Sequence, residues 1–234
     1  MKTFTVARRF NGPPESANGG YFSGLVSCLA NQTMTVRLLK PPPLDTELTW
    51  QQAADESVEV RHGADLIAQA KPGSVSIEAP PPPPHLAVVE ASTRYAGFDK
   101  HPFNSCFVCG PVRARGDGLR IFPGQVAQTT LAAAPWVPDD SLDRGDGKVR
   151  PEFMWAALDC PGWHAVLPDA RVALLAEMTA HVDRPVHIGE SCSIIGWTIS
   201  SNGRKHEAGT AIYDEDHVLC ARARALWIEP RPAS

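Results

Sequence analysis

The chain has 234 residues, 43% of them hydrophobic, which is enough to fill the core of one large domain or two small ones. Its 22 basic and 26 acidic side chains nearly cancel to a net charge of −4, so no basic field gathers nucleic acid or coats an anionic membrane. We therefore expect neither nucleic acid nor membrane as a partner. Because residues 1–6 lack the apolar stretch of an export signal, and no run approaches the roughly 20 apolar residues of a spanning helix, we predict a cytoplasmic protein.

The first predicted element is a helix that begins at Gly19 and Gly20 and runs to about residue 28. It is apolar nearly all round, and such a helix has to be buried on every side. Short strands follow at residues 35–41, 47–50 and 66–71. These features predict an α+β unit in which strands surround one buried helix.

Five consecutive prolines at residues 80–84 interrupt this pattern, because proline continues neither a helix nor a strand ladder. From there to residue 118 the sequence is rich in Pro, Gly and Arg and has little periodicity. We interpret residues 80–118 as a linker, with an N-terminal unit at residues 1–79 and a C-terminal unit at residues 119–234.

The C-terminal unit repeats the order of elements of the first unit. A second apolar segment at residues 151–160 precedes strands at 179–185 and 191–200, and further strands at 206–214 and 218–228 complete an antiparallel meander. The repeat is weak but ordered, which favours internal duplication. The alternative is that two unrelated α+β domains share an order of elements by chance.

Three stretches carry a resemblance to a known family: residues 18–22 (NGGYF), 155–159 (WAALD) and 218–227. A buried helix wrapped by an antiparallel meander, present twice in one chain, resembles the double-hotdog acyl-CoA thioesterases. The resemblance implies two antiparallel sheets, each wrapped around a central apolar helix. In that superfamily a histidine often stands where this chain has Asn18, so a base at that position is missing.

The resemblance also implies site residues. In the bacterial double-hotdog thioesterases an aspartate on the second helix activates the hydrolytic water, supported by a threonine and a glutamine. Asp159 matches the aspartate, and Thr179, with Glu177 beside it, matches the threonine. Arg224 or its neighbour stands where the glutamine is expected, a departure that leaves open binding of acyl-CoA without hydrolysis. The acyl tunnel is expected beside Trp155.

The residue types fit this chemistry, because thioester hydrolysis needs a base for water and donors for the oxyanion. Asp159 ends an apolar run, where a carboxylate is costly to bury unless it is bonded or functional. Its alternative role is to end the helix before Pro161. Gly19 and Gly20 would let backbone amides approach a thioester oxygen; the alternative is a plain turn before a helix.

Six cysteines are spread through the chain, and only Cys106 and Cys109 form a Cys-x-x-Cys pair. Free thiols are the default in this setting. One pair is half a zinc site, since a structural site needs four ligands. A zinc site of His101, Cys106, Cys109 and Cys160 is the alternative to reduced structural thiols. We interpret the remaining isolated histidines at positions 164, 181 and 206 as structural.

The leading functional hypothesis is an acyl-CoA thioesterase that needs no cofactor, with coenzyme A as part of its substrate. The alternatives are a non-catalytic acyl-CoA or acyl-carrier binding protein, and a hotdog enoyl-CoA hydratase, whose usual Asp and His pair we do not find. Since two fused halves satisfy the pairing of single hotdogs within one chain, we expect a monomer or a homodimer.

Overall fold

The computed structural model describes residues 2–231. It contains four α-helices and a single antiparallel sheet of 11 strands. The helices are α1 (Gly19–Ala30), α2 (His85–Thr93), α3 (Pro151–Ala157) and α4 (Cys160–Val166). The strands are β1 (Lys2–Thr5), β2 (Met34–Leu38), β3 (Glu47–Gln52), β4 (Val58–His62), β5 (Asp65–Pro72), β6 (Gly124–Gln125), β7 (Ala132–Trp136), β8 (Leu174–Val182), β9 (Cys192–Asn202), β10 (Lys205–Tyr213) and β11 (Leu219–Ile228).

The sheet has the strand order β1-β3-β4-β5-β2-β8-β11-β10-β9-β7-β6, and its two sides repeat one pattern about the β2–β8 seam. At the seam Thr35 pairs with Thr179 and Arg37 with Glu177. The α+β class and the antiparallel meander are as predicted. The two separate sheets expected from the resemblance are instead one continuous sheet, because backbone hydrogen bonds between β2 and β8 join them.

Helix α1 lies where predicted, and its central residues are buried. It packs against α3 and against the seam strands β2 and β8. Asn18 caps its N-terminus by accepting a hydrogen bond from the Tyr21 amide at 2.9 Å. Its C-terminus ends at Asn31 in the left-handed conformation, a residue type that tolerates positive φ.

The second predicted helix is broken in two between Ala157 and Cys160. Continuing α3 would place the Pro161 ring against the carbonyl of Ala157 one turn earlier, so the helix ends before it. One alternative in the sequence interpretation was that the helix ends before Pro161 and Gly162. The structure instead places both in the first turn of α4, where a missing amide proton costs little. Asp159 lies at the break between the two helices.

The predicted linker is more than an extended spacer in the structure. It forms α2, and its later part is buried among the core side chains, with Phe107, Val108 and Cys109 inaccessible to solvent. Tyr95 also lies in this core and donates a hydrogen bond to the carbonyl of Cys109 at 3.0 Å. No helix among residues 2–231 is long and apolar enough to cross a membrane.

Candidate active site

Asp159 lies at the break between α3 and α4 and is 2% exposed. Its Oδ2 atom accepts a hydrogen bond from Asn18 Nδ2 at 2.7 Å and another from the Gly20 amide at 3.0 Å. Its Oδ1 atom has no partner among the described residues. One carboxylate oxygen is therefore held by two hydrogen bonds, and the other is buried without a partner among the described residues.

Asn18 and Gly20 reach Asp159 because α1 begins directly against the α3–α4 break. Asn18 uses its oxygen to cap α1 and its amide nitrogen to bind Asp159. A Cβ atom at Gly20 would lie 2.6 Å from the Cβ atom of Asp159 and 2.8 Å from the Trp155 carbonyl oxygen. Only glycine allows this approach, which also brings the Gly20 amide to the carboxylate.

Burial raises the pKa of Asp159 to about 7, well above the ordinary value for an aspartate. The hydrogen bonds from the Gly20 amide and from Asn18 oppose that rise by stabilising the charged form. A carboxyl group with a pKa near neutrality is suited to accept a proton from water.

A cavity of about 540 Å³ opens beside Asp159. Its walls are mostly apolar and include Leu175, Trp163 and Trp227. Asn18 and Gly19 line the same cavity, and the exposed cations Lys40 and Arg204 also line it.

The amides of Gly20 and Tyr21, in the first turn of α1, already have acceptors. Among residues 2–231, no acceptor bonds the amide of Gly19.

The structure does not bring Thr179, Glu177 or Arg224 to Asp159. These three residues line a second cavity of about 410 Å³, which shares no lining residue with the first. There the Thr179 and Thr35 hydroxyls lie 2.8 Å apart across the seam, and Arg224 forms an ion pair with Glu207 at 2.9 Å.

Trp155 lines neither of these two cavities. It is buried where α3 packs on α1, and its Cβ atom would lie 2.7 Å from a Cβ atom at Gly24. In the structure its side chain therefore packs between the helices.

The predicted cysteine cluster is brought together. The Sγ atoms of Cys106, Cys109 and Cys160 lie within 4.8 Å of one another, and His101 Nε2 lies 3.2 Å from Cys109 Sγ. His164, which the sequence interpretation treated as an isolated structural residue, forms a second group with His101 and Cys109, whose ligand atoms lie within 4.8 Å of one another. It is 1% exposed, and neither ring nitrogen has a partner in the described part of the chain.

No protein-family model matches the sequence, and no curated protein matches it. Solved structures do match its fold. A candidate thioesterase from Novosphingobium aromaticivorans is 14% identical, with a TM-score of 0.61, over 98% of this chain and 95% of that one. A tesB protein from Mycobacterium avium subspecies paratuberculosis is 11% identical, with a TM-score of 0.60, over 92% of this chain and 88% of that one.

At these identities the likeness establishes the fold. Both matches span nearly the whole of this chain and of the matched chains. The chain therefore shares the fold of these two proteins over nearly its whole length, which agrees with the fold that the sequence resemblance implied.

Proposed function

We propose that the protein hydrolyses the thioester of an acyl-CoA, with Asp159 as the general base. The observation that carries this proposal is the geometry of Asp159: a buried carboxylate beside an apolar cavity, with Oδ2 held by two hydrogen bonds and Oδ1 free. The fold shared with two thioesterase-like proteins supports the same reaction class.

The reaction follows from these positions. Asp159 Oδ1 accepts a proton from water as the water oxygen attacks the thioester carbonyl carbon. The amide of Gly19, at the N-terminus of α1, stabilises the oxyanion that develops. The carbon–sulfur bond then breaks, and the coenzyme A thiolate takes up the proton. The Gly20 amide already donates a hydrogen bond to Asp159. Of the two glycines that the sequence suggested for the oxyanion site, we therefore assign this role to Gly19 alone.

The cavity fits the two ends of such a substrate. Its apolar walls, with Trp163 and Trp227, suit a hydrophobic or aromatic acyl group. Two exposed basic side chains also line the cavity and suit the phosphates of coenzyme A: Arg204, and Lys40, which forms an ion pair with Asp65. No further cofactor enters this reaction.

A second candidate function is acyl-CoA binding without hydrolysis. It is favoured by the separation of Thr179 and Arg224 from Asp159, which leaves the base without the predicted water-holding partners. Asn18 also stands in place of a histidine base. Both functions use the same cavity and differ only in whether water attacks.

Thiol release from a panel of acyl-CoAs separates the two functions. With short, long and aromatic acyl-CoAs, the purified chain is expected to release free coenzyme A, followed with a thiol reagent. Saturable binding of an acyl-CoA in calorimetry, without any thiol release across the panel, would favour the binding function and contradict hydrolysis.

A substitution at the cavity rim tests where the acyl group binds. Leu174 is 42% exposed and lines the cavity, so Leu174→Trp should narrow the opening without disturbing the core. We expect kcat/KM for long acyl-CoAs to fall by about tenfold or more, the loss of one misfitted hydrophobic contact, with acetyl-CoA less affected. Leu86→Trp, 82% exposed on α2 and outside both cavities, is the control and should leave the chain-length profile unchanged.

We further propose that the two halves arose by internal duplication, with boundaries near residues 79 and 118. The repeated strand order about the seam and the pairing of Thr35 with Thr179, which occupy corresponding positions in the two halves, support this. The halves pair with each other through β2 and β8, which favours a monomer, and its size in solution is measurable by light scattering.

A further inference from the structure

We propose that the chain binds one divalent transition metal, with zinc the first choice, through Cys106, Cys109, Cys160 and His164. The site lies between the segment of residues 80–118, which the sequence analysis interpreted as a linker, and helix α4. It involves neither of the reacting groups assigned above. Three thiols and one imidazole form a tetrahedral ligand set that zinc prefers in closed sites.

The spacing of the ligands follows a zinc pattern once α4 is known. Cys106 and Cys109 form a Cys-x-x-Cys pair, and Cys160 and His164 lie four residues apart. Both residues of the second pair belong to α4, so they lie on one face of that helix. The chain therefore supplies two close pairs from two elements, as zinc sites commonly do.

The sulfur geometry matches a tetrahedral metal. The Sγ atoms of Cys106 and Cys160 lie 3.8 Å apart. With zinc–sulfur bonds of about 2.3 Å, two thiolates on a tetrahedral ion lie roughly 3.8 Å apart. This separation is far beyond the roughly 2.05 Å of a disulfide. The described thiols are all free.

His164 points to a missing partner independently of the thiols. A buried histidine normally has a hydrogen-bond partner for at least one ring nitrogen, yet both nitrogens of His164 lack one among residues 2–231. One of them forms a group with His101 and Cys109 whose ligand atoms lie within 4.8 Å of one another, and this group shares Cys109 with the group of three thiols. An imidazole nitrogen without a hydrogen-bond partner can bind a metal ion through its lone pair.

His101, the histidine that the sequence interpretation placed in the site, is assigned a supporting role instead. Its Nδ1 atom accepts a hydrogen bond from the Phe103 amide at 2.9 Å. In the neutral ring Nε2 then carries the proton, and Nε2 lies 3.2 Å from Cys109 Sγ. His101 therefore donates to the Cys109 thiolate and offsets part of the charge of a three-thiolate site.

The surroundings allow a metal to enter and to be held. Cys106 and Cys160 line the cavity that opens beside Asp159, which gives an access route. Cys109 is inaccessible to solvent.

Metal content of the untagged full chain tests the proposal. We expect about one zinc per chain by mass spectrometry after growth with zinc. Cobalt added to metal-free protein should give the intense visible bands and thiolate charge transfer of a tetrahedral cobalt–thiolate site. A wild-type protein that retains no zinc and shows no such bands would overturn the proposal, as would a disulfide among these cysteines detected by alkylation.

Variants then assign the ligands, with circular dichroism to confirm folding. Cys109→Ser and His164→Gln should each lose the bound metal. His101→Gln should keep it with an affinity lower by about 10–100-fold, the usual effect of an outer partner. Cys220→Ser, a buried thiol elsewhere, is the matched control. Full metal retention in His164→Gln with complete loss in His101→Gln would refute the assignment of His164. These readouts are independent of thioester hydrolysis.

Discussion

Replacement of Asp159 by Asn is expected to lower kcat for acyl-CoA hydrolysis by about 10²–10⁴-fold, the usual contribution of a general base. The amide is nearly isosteric with the carboxyl group but cannot accept the proton of the attacking water. Thiol release under saturating acyl-CoA measures the loss. KM should change little, because Asp159 contributes no bond to the acyl group in the proposed mechanism.

The fold should survive this substitution. The Asn side-chain oxygen can accept both hydrogen bonds that Oδ2 now accepts, from Asn18 and from the Gly20 amide. The amide nitrogen then replaces Oδ1, which has no partner among the described residues. Since a buried charge is removed, the melting temperature should stay equal or rise.

Glu152→Gln is the matched control for this experiment. Glu152 is 5% exposed on α3, close in sequence to Asp159, and lines neither cavity. It pairs with Arg150, so the substitution removes a buried carboxyl charge together with that ion pair. Equal loss of kcat in both variants, or an unchanged kcat in Asp159→Asn, would remove Asp159 from the mechanism.

The sequence indicated Asp159, Asn18 and Gly20 as separate candidates, but not that Asn18 and Gly20 bind Asp159. A single carboxylate at the end of an apolar run is visible without a structure, because burying it unpaired is costly. Asn18 and Gly20 precede it by about 140 residues. Their contact depends on how the start of α1 packs against the break between α3 and α4, and no local sequence pattern encodes that packing.

The separation of Thr179 from Asp159 results from a β-bulge. Strict alternation would place Thr179 on the same face of β8 as Leu175, which lines the cavity at Asp159. The register of β8 against β11 shifts between Leu226 and Trp227, opposite Ala176. An extra residue in one strand changes the face of those that follow, and a bulge leaves little trace in the sequence.

The sequence interpretation did not include His164 in its candidate zinc site. It treated His164 as an isolated structural residue, and one of its alternatives was a helix end before Pro161 and Gly162, which are typical helix breakers. In the structure they belong to the first turn of α4, and Cys160 and His164 become neighbours on one face. A proline can begin a helix as well as end one. The Cys-x-x-x-His spacing of Cys160 and His164 is the feature of the sequence that favours a helix beginning there.

Gly24→Ala is expected to destabilise the fold by about 1–3 kcal/mol, the usual cost of overpacking a core. In an exposed helix the same change would stabilise by about 1 kcal/mol, because Ala is the better helix former. Here a Cβ atom would lie 2.7 Å from the Trp155 Cβ atom and 2.9 Å from the Glu152 Cα atom. Since one of these contacts is backbone, α1 and α3 would have to move apart.

Ser23→Ala, one position earlier in α1, is expected to increase the stability of the fold, whereas Gly24→Ala is expected to decrease it. The Ser23 hydroxyl is buried and has no partner in the part of the chain that the structure describes. Its removal should raise stability by about 1 kcal/mol, from the relieved hydroxyl and the better helix propensity. Urea unfolding of both variants gives the two free energies. If Gly24→Ala were as stabilising as Ser23→Ala, the close packing of α1 on α3 that positions Gly20 against Asp159 could not be as tight as these distances require.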